Sequence, residues 1–304
     1  MQIAVGGHHP EDPDDPFWLV PPIADLPQIV GPVSQERLED LQVHAFFSAV
    51  AQAGGRHPVD IRVGADPPDR VVTIGADTWG MELTELTLQD LRATLGPIRA
   101  AGRDLQSRLQ ATGEHEHLVG RLVIVSPTVP PEKSLSQADL EASVSAAVEV
   151  LREDRGSISD VPFDPSQGLP EQLPNLGFYG EAGIFTIHTN AGPGQPDRIL
   201  VAASTQAEIR RSEALAAVTA RVQAKDIPAN DLLLISCGLP DKQGYVCGVD
   251  TWIFQMAAEA VRATGTGLGY APEHLKAVAM HSLQSGEWCE IYRAEGEATP
   301  WGSE

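Results

Sequence analysis

Cysteine is scarce and scattered in this chain. Cys237, Cys247 and Cys289 are too few for a disulfide framework, and no Cys-x-x-Cys or Cys/His spacing marks a zinc site, so a reducing cytoplasm is the expected compartment. Long apolar runs are missing as well. None reaches the roughly 18 residues that span a bilayer, and the N-terminus has no basic stretch followed by an apolar core, so neither membrane insertion nor export is expected. Positive charge is the third shortage: 21 Lys and Arg stand against 42 Asp and Glu, a net charge of −21. Such a field repels polyanions and disfavours general nucleic-acid binding. A protein of this charge that acts on phosphodiesters must gather its cations near the site, recruit a basic partner or take a small nucleotide. Familiar catalytic patterns are absent too. There is no Gly-x-Ser-x-Gly elbow, and the glycine-rich stretch from Thr264 to Gly269 follows a helical pattern, whereas a dinucleotide fingerprint follows a strand.

What is present begins with a proline-rich, acidic arm over residues 1–33, which carries no Lys or Arg. Its apolar Phe17, Trp18, Leu19 and Val20 predict that it lies along its own domain or a partner subunit. Residues 34–304 read as one α/β domain: a mixed central sheet flanked by helices, with a polar Pro/Gly-rich loop insertion near 153–182. Ser34 is a good N-cap for a helix reaching about Ala53, whose Leu38, Leu41, Ala45, Phe46 and Ala49 form one stripe. The run from Asp231 to Cys237 is apolar enough for a fully buried strand, and the stretches around 276–282 and 288–293 read as final strands. On the first of these, His281 reads as a satisfied structural histidine.

The segment with chemical content runs from Asp66 to Leu86. Val71, Val72 and Ile74 lead into the turn formers Gly75, Ala76, Asp77 and Thr78, and Trp79, Met81 and Leu83 then alternate in strand fashion. With the turn centred near Ala76 and Asp77, residues 69 and 84 fall opposite each other, and Asp69 sits diagonal to Glu82 at about 7–8 Å or less. Glu82 and Thr84 share one face. Two carboxylates at that spacing suit one hard cation, since Mg²⁺ accepts one or two protein carboxylates and leaves its other positions to water and phosphate oxygens. The same residues also suit a plain hairpin with a wet face.

Pro68-Asp69, the hairpin and Glu82-Leu83-Thr84, with a helix before and a long helix after, resemble the PD-(D/E)xK nuclease-like superfamily, in particular its bacterial members with a Glu-x-Thr-Glu pattern. The resemblance covers residues 34 to about 130. It implies a restriction-endonuclease-like core, Asp69 and Glu82 as ligands of Mg²⁺ or Mn²⁺, the Leu83 carbonyl as a further ligand, and Glu39 or Glu36 reaching the ion from the first helix. Thr84 occupies the position of the family's lysine, and a neutral hydroxyl supplies no positive charge.

Arg92, Arg99 and Arg103 fall within about 40° of one another on the following helix, a stripe that fits either phosphates or solvent. Arg221 and Lys225 share one side of a later helix, and a cation from that side is the candidate to stand in for the missing lysine. The function implied is a metal-dependent nuclease-like protein that hydrolyses phosphodiesters of a nucleic acid or nucleotide, in the setting of bacterial defence. The alternative is a catalytically inactive interaction subunit with the same fold, which binds a protein partner or a second copy through residues 1–33.

Overall fold

The computed structural model describes residues 5–9, 11–24, 26–27, 33–128, 135–153, 176–191, 199–242, 244–246, 250–264, 268–298 and 300–302. In chain order the elements are β1 (Val5–His9), β2 (Asp12–Ala24), β3 (Leu26–Pro27), α1 (Gln35–Gln52), β4 (Asp60–Val63), β5 (Arg70–Ile74), β6 (Asp77–Glu85) and α2 (Gln89–Ala111). A 3-10 segment (Gly113–Leu118) precedes β7 (Arg121–Pro127), α3 (Gln137–Glu153), β8 (Leu176–Ala182), β9 (Phe185–Ala191), β10 (Leu200–Arg210) and α4 (Arg211–Lys225). The chain closes with β11 (Leu232–Cys237), β12 (Tyr245–Val246), α5 (Asp250–Ala263), β13 (Ala277–Ser282) and β14 (Trp288–Arg293). The protein is mixed α/β, with mixed sheets flanked by helices. Among the described residues no helix is long and apolar enough to cross a membrane.

Where the sequence pattern predicts a single domain over 34–304, the chain forms two compact units. The first joins Met1–Pro21, Leu26–Leu88 and Ala207–Glu304; the second joins Pro22–Asp25 and Gln89–Gln206. Hydrophobic periodicity does not reveal this division, because the first unit is closed by pairing between strands far apart in sequence.

In the first unit the sheet order is β14-β13-β11-β6-β5-β4. Strands β4, β5 and β6 form an antiparallel meander, and β11 runs parallel to both β6 and β13. Helix α1 starts where Ser34 Oγ accepts the Arg37 backbone N–H at 3.2 Å, satisfying one of the donors a helix start leaves open. Its stripe Val43, Phe46, Phe47 and Val50 packs on Val72, Ile74, Met81, Leu83, Leu232, Leu234, Ala277 and Ala279. Strand alternation sends Glu82, Leu233, Ile235, Val278 and Met280 to the other face, where α4 and α5 pack against the sheet. Strand β11 is buried at every position, as an inner strand covered on both faces must be.

The hairpin turns one residue earlier than its composition predicts. Ile74 pairs with Asp77, leaving Gly75 and Ala76 as a two-residue loop. Gly75 has φ +65°, the sign that the first position of a type II′ turn reserves for glycine. The shift moves the whole ladder.

The second unit has strands in the order β10-β7-β9-β8, with β10 parallel to β7 and the other pairs antiparallel. Helices α2 and α3 pack against each other, and α2 continues through Pro97. Segments 184–189 and 198–203, whose pattern resembles a hairpin, are separated by β7 instead. Of the insertion expected over 153–182, residues 176–182 are strand β8 and residues 154–175 lie outside the described residues.

Among the described residues of the arm, β3 pairs with β12, and β1 pairs with β2 as a hairpin. The hairpin is tied to the start of α4 in its own unit: Asp15 accepts the Ser212 N–H at 2.9 Å and its hydroxyl at 2.5 Å, and the Asp14 carbonyl accepts from Arg211 at 3.0 Å.

Candidate functional site

The corrected register brings the acids closer than the sequence implies. Extending the ladder one residue beyond the Arg70–Met81 pair sets Asp69 directly opposite Glu82, on the same face and not on a diagonal. The loop before Asp69 folds on itself: the Gly64 N–H donates to the Asp69 carbonyl at 2.9 Å and the Asp66 N–H to the Pro68 carbonyl at 3.1 Å. Only glycine fits at position 64, since a Cβ there would run into the Pro68 carbonyl oxygen. Asp69 Oδ2 accepts the Leu83 N–H at 2.8 Å. A strand residue points its N–H and C=O to the same side, so the Leu83 carbonyl also faces Asp69.

Burial holds the Asp69 carboxyl above the usual carboxylate range. The Leu83 N–H and the Lys225 ammonium pull it down, while the negative charges of Glu82 and Glu39 push it further up. Glu82 is 4% exposed. Its Oε1 accepts from Lys225 Nζ at 2.5 Å, whereas its Oε2 is buried with no partner. A buried charged oxygen without a donor or cation costs more than the roughly 1–3 kcal/mol of a neutral one. That orphan oxygen, the Asp69 carboxylate and the Leu83 carbonyl match the hard-oxygen donor set of Mg²⁺ or Mn²⁺. The set is small. Among the described residues no group of three or more His, Cys, Asp or Glu side chains is gathered to hold a metal.

Lys225 is the last residue of α4, and its position there is fixed by its neighbours. Its carbonyl accepts from the buried Asn230 amide at 2.9 Å. The next residue, Asp226, accepts from the Tyr270 hydroxyl at 2.6 Å and from the backbone N–H groups of Glu273, His274 and Leu275 at 2.7, 2.8 and 3.0 Å. Burial raises the Asp226 pKa, but these donors outweigh it and bring the carboxyl down to about 2. One turn earlier, Arg221 donates to the buried Thr87 hydroxyl at 3.3 Å, and among the described residues its guanidinium pairs with no carboxylate. Thr84 is half-buried, on the Glu82 face by alternation.

Glu39 is engaged on both oxygens. Oε1 accepts from Gln35 at 3.0 Å and Oε2 from Arg70 at 2.8 Å, while Glu36 contributes only its carbonyl, 3.4 Å from Arg70. Arg70 is the residue the sequence reading missed. It is 2% exposed and also donates to the Asp69 carbonyl at 2.9 Å and to Asp40 at 2.9 Å, so it clips the start of β5 to the first turns of α1. Its position in an alternating strand was a usable signal, because a charge where Val72 and Ile74 face the core requires partners. Replacing Arg70 by Met is expected to lower stability by about 2–4 kcal/mol in urea unfolding. A loss below about 1 kcal/mol would put these contacts in the class of exposed ion pairs.

The basic stripe belongs to the second unit: Arg99 is half-buried, Arg103 exposed, and the Arg92 side chain lies outside the described residues. His281 departs from the satisfied histidine expected. It is fully buried, edge-on to Phe46 at 5.9 Å, with neither ring nitrogen hydrogen-bonded, and burial pushes its pKa down to about 4. Beside it across the parallel ladder, the buried Ser236 hydroxyl is also unpartnered. Comparison of the chain with protein-family models, with curated proteins and with solved structures finds no match.

Proposed function

We propose that the first unit is a restriction-endonuclease-like core of the PD-(D/E)xK kind and that the protein is a divergent metal-dependent phosphodiesterase. The single observation that carries this reading is the half-satisfied Glu82: a buried carboxylate with one oxygen on Lys225 and the other open, directly opposite Asp69. The order of elements adds support, with α1, the β4-β5-β6 meander, then α4 and the parallel strand β11.

Asp69, Glu82 and the Leu83 carbonyl hold the ion. Mg²⁺ or Mn²⁺ bound there supplies a water of lowered pKa and offsets charge on the scissile phosphate. Lys225 takes the part for which Thr84 has no charge. One of its N–H groups is spent on Glu82 and its side chain is 35% exposed, which leaves donors free to orient a water. Arg221, one turn back on the same helix, offers its guanidinium to a phosphate oxygen. Glu39 acts at a distance, anchoring Arg70 and through it the Asp69 backbone. The interaction-subunit reading draws only on Thr84, because Asp14 and Asp15 of the arm already bond to α4 of the same unit.

The test separates binding from turnover. Calorimetric titration with Mn²⁺ should show binding to the parent and to Lys225→Met, and none to Glu82→Gln. Cleavage of DNA, RNA or a nucleotide should require the metal and be lost in both variants. Unchanged Mn²⁺ binding in Glu82→Gln would remove the site.

A further inference from the structure

Strand β4 ends the sheet of the first unit, pairing with β5 on one side and with no strand among the described residues on the other. Such an edge presents unpaired N–H and C=O groups, and proteins usually blunt it with charge or twist. Here the edge is apolar on one face. Val63 is 68% exposed and Ile61 packs against the core cluster, while Val59, 73% exposed, precedes the strand at a bend where its N–H donates to the Thr73 carbonyl at 2.8 Å. On the opposite face the strand carries one acid and one base, Asp60 and Arg62, joined within the strand at 2.9 Å.

The order Val59-Asp60-Ile61-Arg62-Val63 is self-complementary about its centre. An antiparallel second copy with Ile61 opposite Ile61 brings Asp60 against Arg62 twice on one face and sets the two Ile61 side chains side by side on the other, with Val63 of each copy reaching the bend at Val59 of its partner. The apolar row then continues the core on the α1 side, and the segment is electrically neutral in a chain of net charge −21. A shift of one residue would break both patterns, so the pairing has a defined register.

We infer that β4 is a homodimerisation edge, through which two copies join their six-stranded sheets into one by antiparallel β4–β4 pairing centred on Ile61. The interface is isologous, as a two-fold dimer requires. It is independent of the site around Glu82. A strand this short makes a weak, reversible dimer, and the net charge of each copy opposes it, so association tightens as added salt screens that repulsion.

Sedimentation of the full chain over a concentration series should show the 32.5 kDa species giving way to twice that mass. Asp60→Arg and Arg62→Asp each turn two attractive pairs into repulsive ones and should weaken the dimer roughly tenfold or more. Mixed together, these two variants are complementary and should form a heterodimer, and the double variant D60R/R62D should recover the parent's behaviour. Both side chains are exposed, so the fold tolerates the exchange; Val63→Lys, which places a charge in the apolar row, gives a second route to the monomer. A parent that stays at 32.5 kDa at every concentration, or a dimer indifferent to the single reversals, overturns the inference.

Discussion

Replacing His281 with Leu should make the protein more acid-resistant than its parent, by about 2 kcal/mol at pH 5 and about 3 kcal/mol at pH 4. The folded-state pKa is about 4 against an ordinary 6.5. The unfolded chain therefore binds a proton between those values that the folded chain refuses. Stability due to the neutral, buried ring is complete above pH 6.5 and is lost as pH falls toward 4. No acceptor compensates, since both ring nitrogens are unpartnered and the neighbouring Ser236 hydroxyl is not engaged with them. Leucine fills the space beside Phe46 and does not titrate. Urea unfolding of parent and variant across pH 4 to 7 checks this, and the comparison cancels the many carboxylates common to both. Parallel pH profiles would mean that the parent ring is hydrated or hydrogen-bonded in solution.

The second large effect is expected at Asp69, where stability and activity should move in opposite directions. On the proposed function, Asp69→Asn should reduce metal-dependent cleavage by roughly a thousandfold or more, because the carboxylate proposed to hold the ion opposite Glu82 is gone. Without metal, the same variant should be more stable than the parent at neutral pH. Burial and the charges of Glu82 and Glu39 hold the Asp69 pKa above its ordinary 3.8, so its ionised form is a cost to the fold. The cost fades as pH falls through the raised pKa, and the gain of the Asn variant should shrink with it. Adding Mn²⁺ at a hundred times its dissociation constant should reverse the ranking, stabilising the parent by about 2.7 kcal/mol and leaving the variant unchanged. Thermal melts with and without metal decide the matter. A variant less stable than the parent in both conditions would make Asp69 a structural partner of the Leu83 N–H and nothing more.

Much of the site was legible in the chain. The pairing of the strand that holds Val71, Val72 and Ile74 with the strand that holds Trp79 and Met81, across a glycine turn, follows from alternation and turn chemistry, as does the shared face of Glu82 and Thr84. The exact opposition of Asp69 and Glu82 was missed by a single step, because composition around residues 75–78 allows two turn positions and the φ of Gly75 selects one. Glu39 illustrates a different limit. Its place on the first turns of α1 could be read, but its commitment to Arg70 depends on how the helix lies across β5.

By itself, then, the sequence determined the local elements, the Ser34 cap, the buried character of β11 and the acids of the hairpin, because each depends on spacing within a few residues. The tertiary structure alone decided which cation meets those acids. Lys225 and Glu82 are 143 residues apart, and their contact arises when β11 pairs with β6 and α4 packs over the same face. It also decided the division into two units and the isolation of His281. These outcomes are set by strand pairing and burial across long separations, which periodicity in a single chain does not encode.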